Sequence, residues 1–165
     1  MANIISKRVG YTNDNAFENV VNYIVDSPHL DLEKTIMGNV YIDPYRLGLV
    51  YKTVETNAYV KEGNRKCHHF IIGFDDSEIK CEMQLLDILR TAVGYFSQKY
   101  ILYGGIHTGT KDFYKQYNHI HIAVGSVSYT DGKCFYGRID DYNKFTDYMR
   151  STYPDMQWTH IPKFN

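Results

Sequence analysis

The sequence predicts an α+β fold, a mostly antiparallel central sheet with helices packed on it. Three observations carry that prediction. Runs such as Asn118-His119-Ile120-His121-Ile122-Ala123-Val124 alternate with the period of a strand. Between such runs lie stretches whose apolar residues recur at helical spacing. The resulting order, roughly βα(β)αβαβββαβ, contains no repeat, linker or low-complexity segment, so the 165 residues are expected to form one domain spanning 1–165.

Taken in order, Asn3 to Ser6 reads as a short strand. Ala16, Phe17, Val20, Val21, Ile24 and Val25 then mark an amphipathic helix from Asp14 to Asp26, with Asn13 or Asp14 offering the capping oxygen. Leu30 to Asp43 is expected to be a loop with a short strand at Asn39–Ile42, and Pro44 to Tyr59 a helix. Lys66 to Phe74 reads as a central strand: its even positions His68, Phe70, Ile72 and Phe74 are apolar enough to face packed helices, which leaves Cys67, His69, Ile71 and Gly73 on the other side. Asp75-Asp76-Ser77-Glu78 looks like the start of the longest helix, ending near Gln98-Lys99.

Tyr100 to His107 is the next strand, with Gly104 and Gly105 allowing close backbone approach. Thr108 to Tyr117 reads as a polar and aromatic loop, after which the strand of His119 and His121 pairs antiparallel beside His107. Ser128 to Phe135 is a hairpin turning at Asp131-Gly132. Asp140 or Asp141 caps a last helix to Thr152, and Met156 to His160 forms a terminal strand.

Composition narrows the function. The formal net charge of −1 excludes gripping duplex DNA by bulk electrostatics, so any nucleic-acid site has to be local. No stretch approaches the ~20 apolar residues of a membrane span and the opening residues lack a signal layout, so a cytoplasmic location is expected. Cys67, Cys81 and Cys134 show no CxxC pairing and are expected to be free thiols. Sixteen tyrosines supply rings that can stack on unpaired bases, and a phenol can also act as a nucleophile.

His119 and His121 share one strand face, with His107 just upstream. Imidazoles at i and i+2 can converge on one divalent ion, although strand histidines also serve as hydrogen-bonded fillers. Lys7, Arg8, Lys52, Lys66, Lys111, Lys115 and Lys133 are available for phosphate contacts, Lys111 and Lys115 foremost because their segment separates the histidine strands.

Several blocks resemble, in order, a known family. Asn19-Val20-Val21-Asn22-Tyr23-Ile24 is similar to a motif in which a helix carries a tyrosine nucleophile. His69-Phe70-Ile71-Ile72-Gly73-Phe74 with Ser77-Glu78-Ile79 is similar to the second block. His107 with His119-Ile120-His121 is similar to the metal motif, and Val127 to Lys133 to the hairpin that follows. The chain resembles the nicking domain of plasmid and conjugative-element relaxases, HUH endonucleases of the VirD-like Gram-positive mobilisation type. That resemblance implies an RRM-like sandwich and a metal-dependent, strand-specific single-stranded DNA endonuclease and transesterase working through a 5′-phosphotyrosine at an origin of transfer.

In those terms Tyr23 is the nucleophile, with Tyr11 and Tyr41 next in line. His69 supports its activation, and His107, His119 and His121 hold Mg²⁺ or Mn²⁺. The implied partners are single-stranded DNA and accessory mobilisation proteins in a bacterial cytoplasm, with no membrane. The chain departs from the family at Gly109, where an acid is usual, and at Gly125, where an asparagine is usual; Asp112 is a candidate substitute for the acid. Two alternatives remain open. One is an HUH replication initiator or transposase, whose nucleophile follows the histidine pair, among Tyr142, Tyr148 and Tyr153. The other is a non-catalytic single-strand-binding module of the same fold.

Overall fold

The structure, a computed structural model, describes residues 1–7, 10–28, 43–58, 63–75, 78–112 and 115–163, with backbone alone at 109–112 and 115–117. The expected strand at Asn39–Ile42 lies outside the described residues. The elements run β1 (Ala2–Lys7), α1 (Ala16–Val25), α2 (Pro44–Thr56), β2 (Cys67–Gly73), α3 (Glu82–Ser97), β3 (Tyr100–Asp112), β4 (Lys115–Ser128), α4 (Ile139–Thr152) and β5 (Trp158–Lys163).

The five strands form one sheet in the order β3-β4-β2-β1-β5. Every pairing is antiparallel except β1 with β5, which is parallel. The fold is therefore α+β with a mixed, mostly antiparallel sheet.

Alternation along the strands gives the sheet two different faces. His68, Phe70 and Ile72 of β2, with Ile120, Ile122 and Val124 of β4, lie under α3 and α4 in a core that includes Phe96, Tyr142, Phe145 and Trp158. Phe70 is fully buried, with ring centres 5.1 Å from Phe96 and 5.6 Å from Phe145. Gly104 lets α3 settle on β3, because a Cβ there would lie 2.9 Å from Leu89 Cδ1 and 3.0 Å from Val93 Cγ2. The opposite face carries Cys67, Tyr103 and Ala123, covered by Phe17, Val20, Val21 and Ile24 of α1 and by Leu47 and Tyr51 of α2.

Local chemistry explains the helix ends. Pro44 occupies the first turn of α2, where its missing N–H costs nothing, and the Asp43 carboxylate accepts from Tyr45 N at 3.1 Å. In α4 the Asp141 carboxylate accepts from Arg138 N at 2.9 Å, so the acid expected to be the cap sits one turn inside, reaching back.

Two expectations are corrected. The longest helix among the described residues begins at Glu82 and not at Asp75–Glu78: Cys81 before it is still extended, and the carboxylates of Asp75 and Glu78 lie 2.8 and 2.5 Å from Met1 N. Thr108 to Tyr117 is not a loop through most of its length: β3 and β4 continue as a long hairpin, pairing Thr108 with Asn118, Gly109 with Tyr117 and Thr110 with Gln116. Backbone hydrogen bonds carry that extension where apolar alternation is absent.

Candidate metal and nucleophile site

Register brings the histidines together on the α1 side of the sheet. His107 of β3 lies opposite His119 of β4, and Ile71 of β2 opposite His121, which sets His69 diagonally beside His121. One nitrogen from each of His107, His119 and His121 falls within 4.8 Å of the other two. His107 and His121 are buried, and their ring centres stand 4.3 Å apart.

The proton pattern suits ligation. A carbonyl can only accept, so His107 Nε2, 3.0 Å from Ile24 O, carries the hydrogen and leaves the ring's lone pair on Nδ1. His121 Nδ1 is 2.8 Å from His69 Nε2, while His121 Nε2 is buried with no hydrogen-bond partner among the described residues. Burial holds His121 well below the usual imidazole range, aided by the neighbouring His69, His107 and His119 and by Lys7. His69 is pushed down to about 3, by burial first and then by Lys7 and His107. Three imidazoles with one nitrogen each this close together are a donor set for a divalent metal ion, and these residues fit one.

Tyr23 completes the group. It lies on the last turn of α1, whose apolar stripe is buried against the sheet, and the Ile24 carbonyl that holds His107 belongs to the next residue. Its ring centre is 5.5 Å from His121, 5.9 Å from His69 and 6.2 Å from His107, and the side chain is 57% exposed. The residue thus reaches both the histidines and solvent.

The remaining candidates separate. Lys7 lies on the site face of β1 and acts electrostatically on His69 and His121. Lys66 Nζ is 2.6 Å from Glu55 and its side chain is largely buried. Lys52 Nζ donates to Asn15 Oδ1 at 2.7 Å. Lys133 stands at the far end of β4 from His119, beside Asp131. Arg8, Tyr41 and the side chains of Lys111, Asp112 and Lys115 lie outside the described residues.

Tyr142, Tyr148 and Tyr153 follow the sheet on the α4 side. Tyr142 is buried in the apolar core, Tyr148 stacks on Tyr95, and Tyr153 donates to Asp87. The sheet stands between these tyrosines and the histidine cluster.

At Gly125 the structure shows why an asparagine is missing: a Cβ there would lie 2.5 Å from the Tyr51 ring. Sequence reasoning missed two contacts, the Ile24 carbonyl on His107 and the Tyr11 hydroxyl 3.2 Å from His69 Nδ1. Neither leaves a sequence signal, since one is backbone and the other depends on a left-handed tyrosine, φ +62°.

No helix among the described residues is long and apolar enough to cross a membrane. No curated protein matches the chain. A family model does: the MobA/VirD2-like relaxase nuclease domain matches residues 30–158, a span that holds His69, His107, His119 and His121 and begins after α1 and Tyr23. With most of its length matched, the chain belongs to the MobA/VirD2-like relaxases, as a nicking-nuclease domain of that family.

Proposed function

We propose that the chain is a single catalytic domain that nicks one DNA strand at an origin of transfer and holds the cut end covalently on Tyr23. The observation that carries this reading is the placement of an exposed tyrosine ring 5.5 Å from His121, at the edge of the three-histidine cluster. Mg²⁺ or Mn²⁺ held by His107, His119 and His121 would neutralise charge building on the non-bridging phosphate oxygens.

The chain's own residues do the rest. The Tyr23 oxygen attacks phosphorus as its proton passes to solvent, the P–O3′ bond breaks, and the 3′ oxygen leaves and takes up a proton. The 5′-phosphotyrosine keeps the energy of the cleaved ester, so a 3′-hydroxyl can later reverse the step. Lys7, on the same face, supplies a positive charge for the incoming backbone. Both ring nitrogens of His69 already have neighbours, His121 and Tyr11, so His69 positions the site and does not take the Tyr23 proton.

The test is a covalent protein–DNA adduct formed with single-stranded oligonucleotides and Mn²⁺. Tyr23→Phe is expected to abolish the adduct and to retain strand binding within about twofold, because only the oxygen is removed. An undiminished adduct in Tyr23→Phe contradicts the assignment.

A further inference from the structure

We propose that Tyr11 is a positioning residue for the metal, its hydroxyl accepting the Nδ1–H of His69 and so keeping the lone pair of His121 on Nε2, where the metal would bind. The proposal rests on the reading of His107, His119 and His121 as ligands.

Tyr11 sits in a conformation that bulky residues rarely adopt. Its φ is +62° and that of Gly10 is +87°, and the loop is clamped there by Lys66 N donating to Tyr11 O at 2.7 Å. The result is a tyrosine edge-on to His69, ring centres 6.1 Å apart, with the hydroxyl 3.2 Å from Nδ1.

The contact extends into the cluster. His69 is 2% exposed, and its other nitrogen lies 2.8 Å from His121 Nδ1, so a single hydrogen is shared between the two rings. Two proton arrangements satisfy that pair. In one, His121 carries hydrogen on Nδ1, donates to His69 Nε2 and keeps its Nε2 lone pair for a metal; His69 then carries hydrogen on Nδ1 and needs an acceptor, which Tyr11 provides. In the other, every hydrogen moves to the opposite nitrogen, and His121 presents an N–H that cannot ligate.

With phenylalanine at position 11, the first arrangement buries a His69 N–H without an acceptor. The second arrangement always buries the His121 Nε2–H without an acceptor among the described residues, so with tyrosine the first is preferred, and with phenylalanine each carries one orphaned donor and the preference is lost.

The experiment compares the protein with Tyr11→Phe and His69→Ala. Imidazole ¹⁵N shifts of the metal-free protein report which nitrogen carries hydrogen, and calorimetry with Mn²⁺ reports affinity. We expect His121 to carry hydrogen on Nδ1 in the unsubstituted protein and to shift toward Nε2 in Tyr11→Phe. Mn²⁺ binding should weaken about twofold in Tyr11→Phe, as about half of the molecules then present an N–H in place of the lone pair, with no further loss when that change is added to His69→Ala. Unchanged ¹⁵N shifts in Tyr11→Phe overturn the proposal, including the case in which only the melting temperature moves. If the unsubstituted protein binds no Mn²⁺, the ligand reading fails separately, and the metal-free ¹⁵N shifts still decide whether Tyr11 sets the protons.

Discussion

Two adjacent residues of β2, His68 and His69, face opposite sides of one sheet and show what each side is built for. His68 lies in the apolar core, where Nε2 donates to Phe135 O at 2.7 Å and Nδ1 faces the Tyr142 hydroxyl at 3.4 Å. Those contacts are local and complete, and they join the ring to the packing. His69 joins another histidine, His121, whose far nitrogen is buried with no partner among the described residues. Buried polar groups are normally satisfied, so a nitrogen left over in a cluster of three imidazoles marks a place for a ligand. On the function proposed above, the α3/α4 face serves stability and the α1/α2 face serves chemistry.

The sharpest way to break that division is to damage one face and read the other. Phe70→Ala empties the centre of the apolar core and is expected to cost about 3–5 kcal/mol, read from urea denaturation, with Mn²⁺ affinity unchanged where the variant is folded. A loss of metal affinity in the folded variant would show that the faces are not independent.

A smaller effect comes from Gly125→Asn, which drives a side chain into the Tyr51 ring. Overpacking of this kind is expected to cost about 1–3 kcal/mol, seen as a lower urea midpoint. A midpoint equal to that of the unsubstituted protein would mean that Tyr51 moves aside freely.

The mildest test uses pH. Burial first, and then Arg65, push His68 down to about 3. Above pH 6.5 the ring is neutral in both folded and unfolded chains. As pH falls from there toward 3, the unfolded chain takes up a proton that folded His68 refuses, so stability declines by up to about 1.4 kcal/mol per pH unit from this group. His68→Gln, followed by urea denaturation in EDTA between pH 6.5 and 4.5, is expected to flatten the stability profile by that slope. Identical slopes would place His68 outside the acid response.

Much of this was legible in the sequence because alternation reports faces. The apolar even positions of Lys66 to Phe74 put His69 with His119 and His121, as the structure does. Apolar spacing likewise located α1, α2, α3 and α4. The Thr108–Tyr117 pairing was not legible, because it is carried by the backbone and the segment's sequence shows no apolar alternation to read.

The start of α3 was misread because acids that resemble a helix cap are equally good partners for a chain-terminal ammonium, and only the fold reveals which they serve. The Tyr11 contact was hidden for a related reason. It depends on a positive φ at a residue whose type argues against one.

The most direct test of the central claim is to map the DNA-linked peptide. After incubation with single-stranded DNA and Mn²⁺, proteolysis and mass spectrometry should place the phosphodiester on the peptide containing Tyr23, at the C-terminal turn of α1 and on the histidine face. Attachment at Tyr142, Tyr148 or Tyr153 would put the chemistry on the opposite side of the sheet and contradict the account.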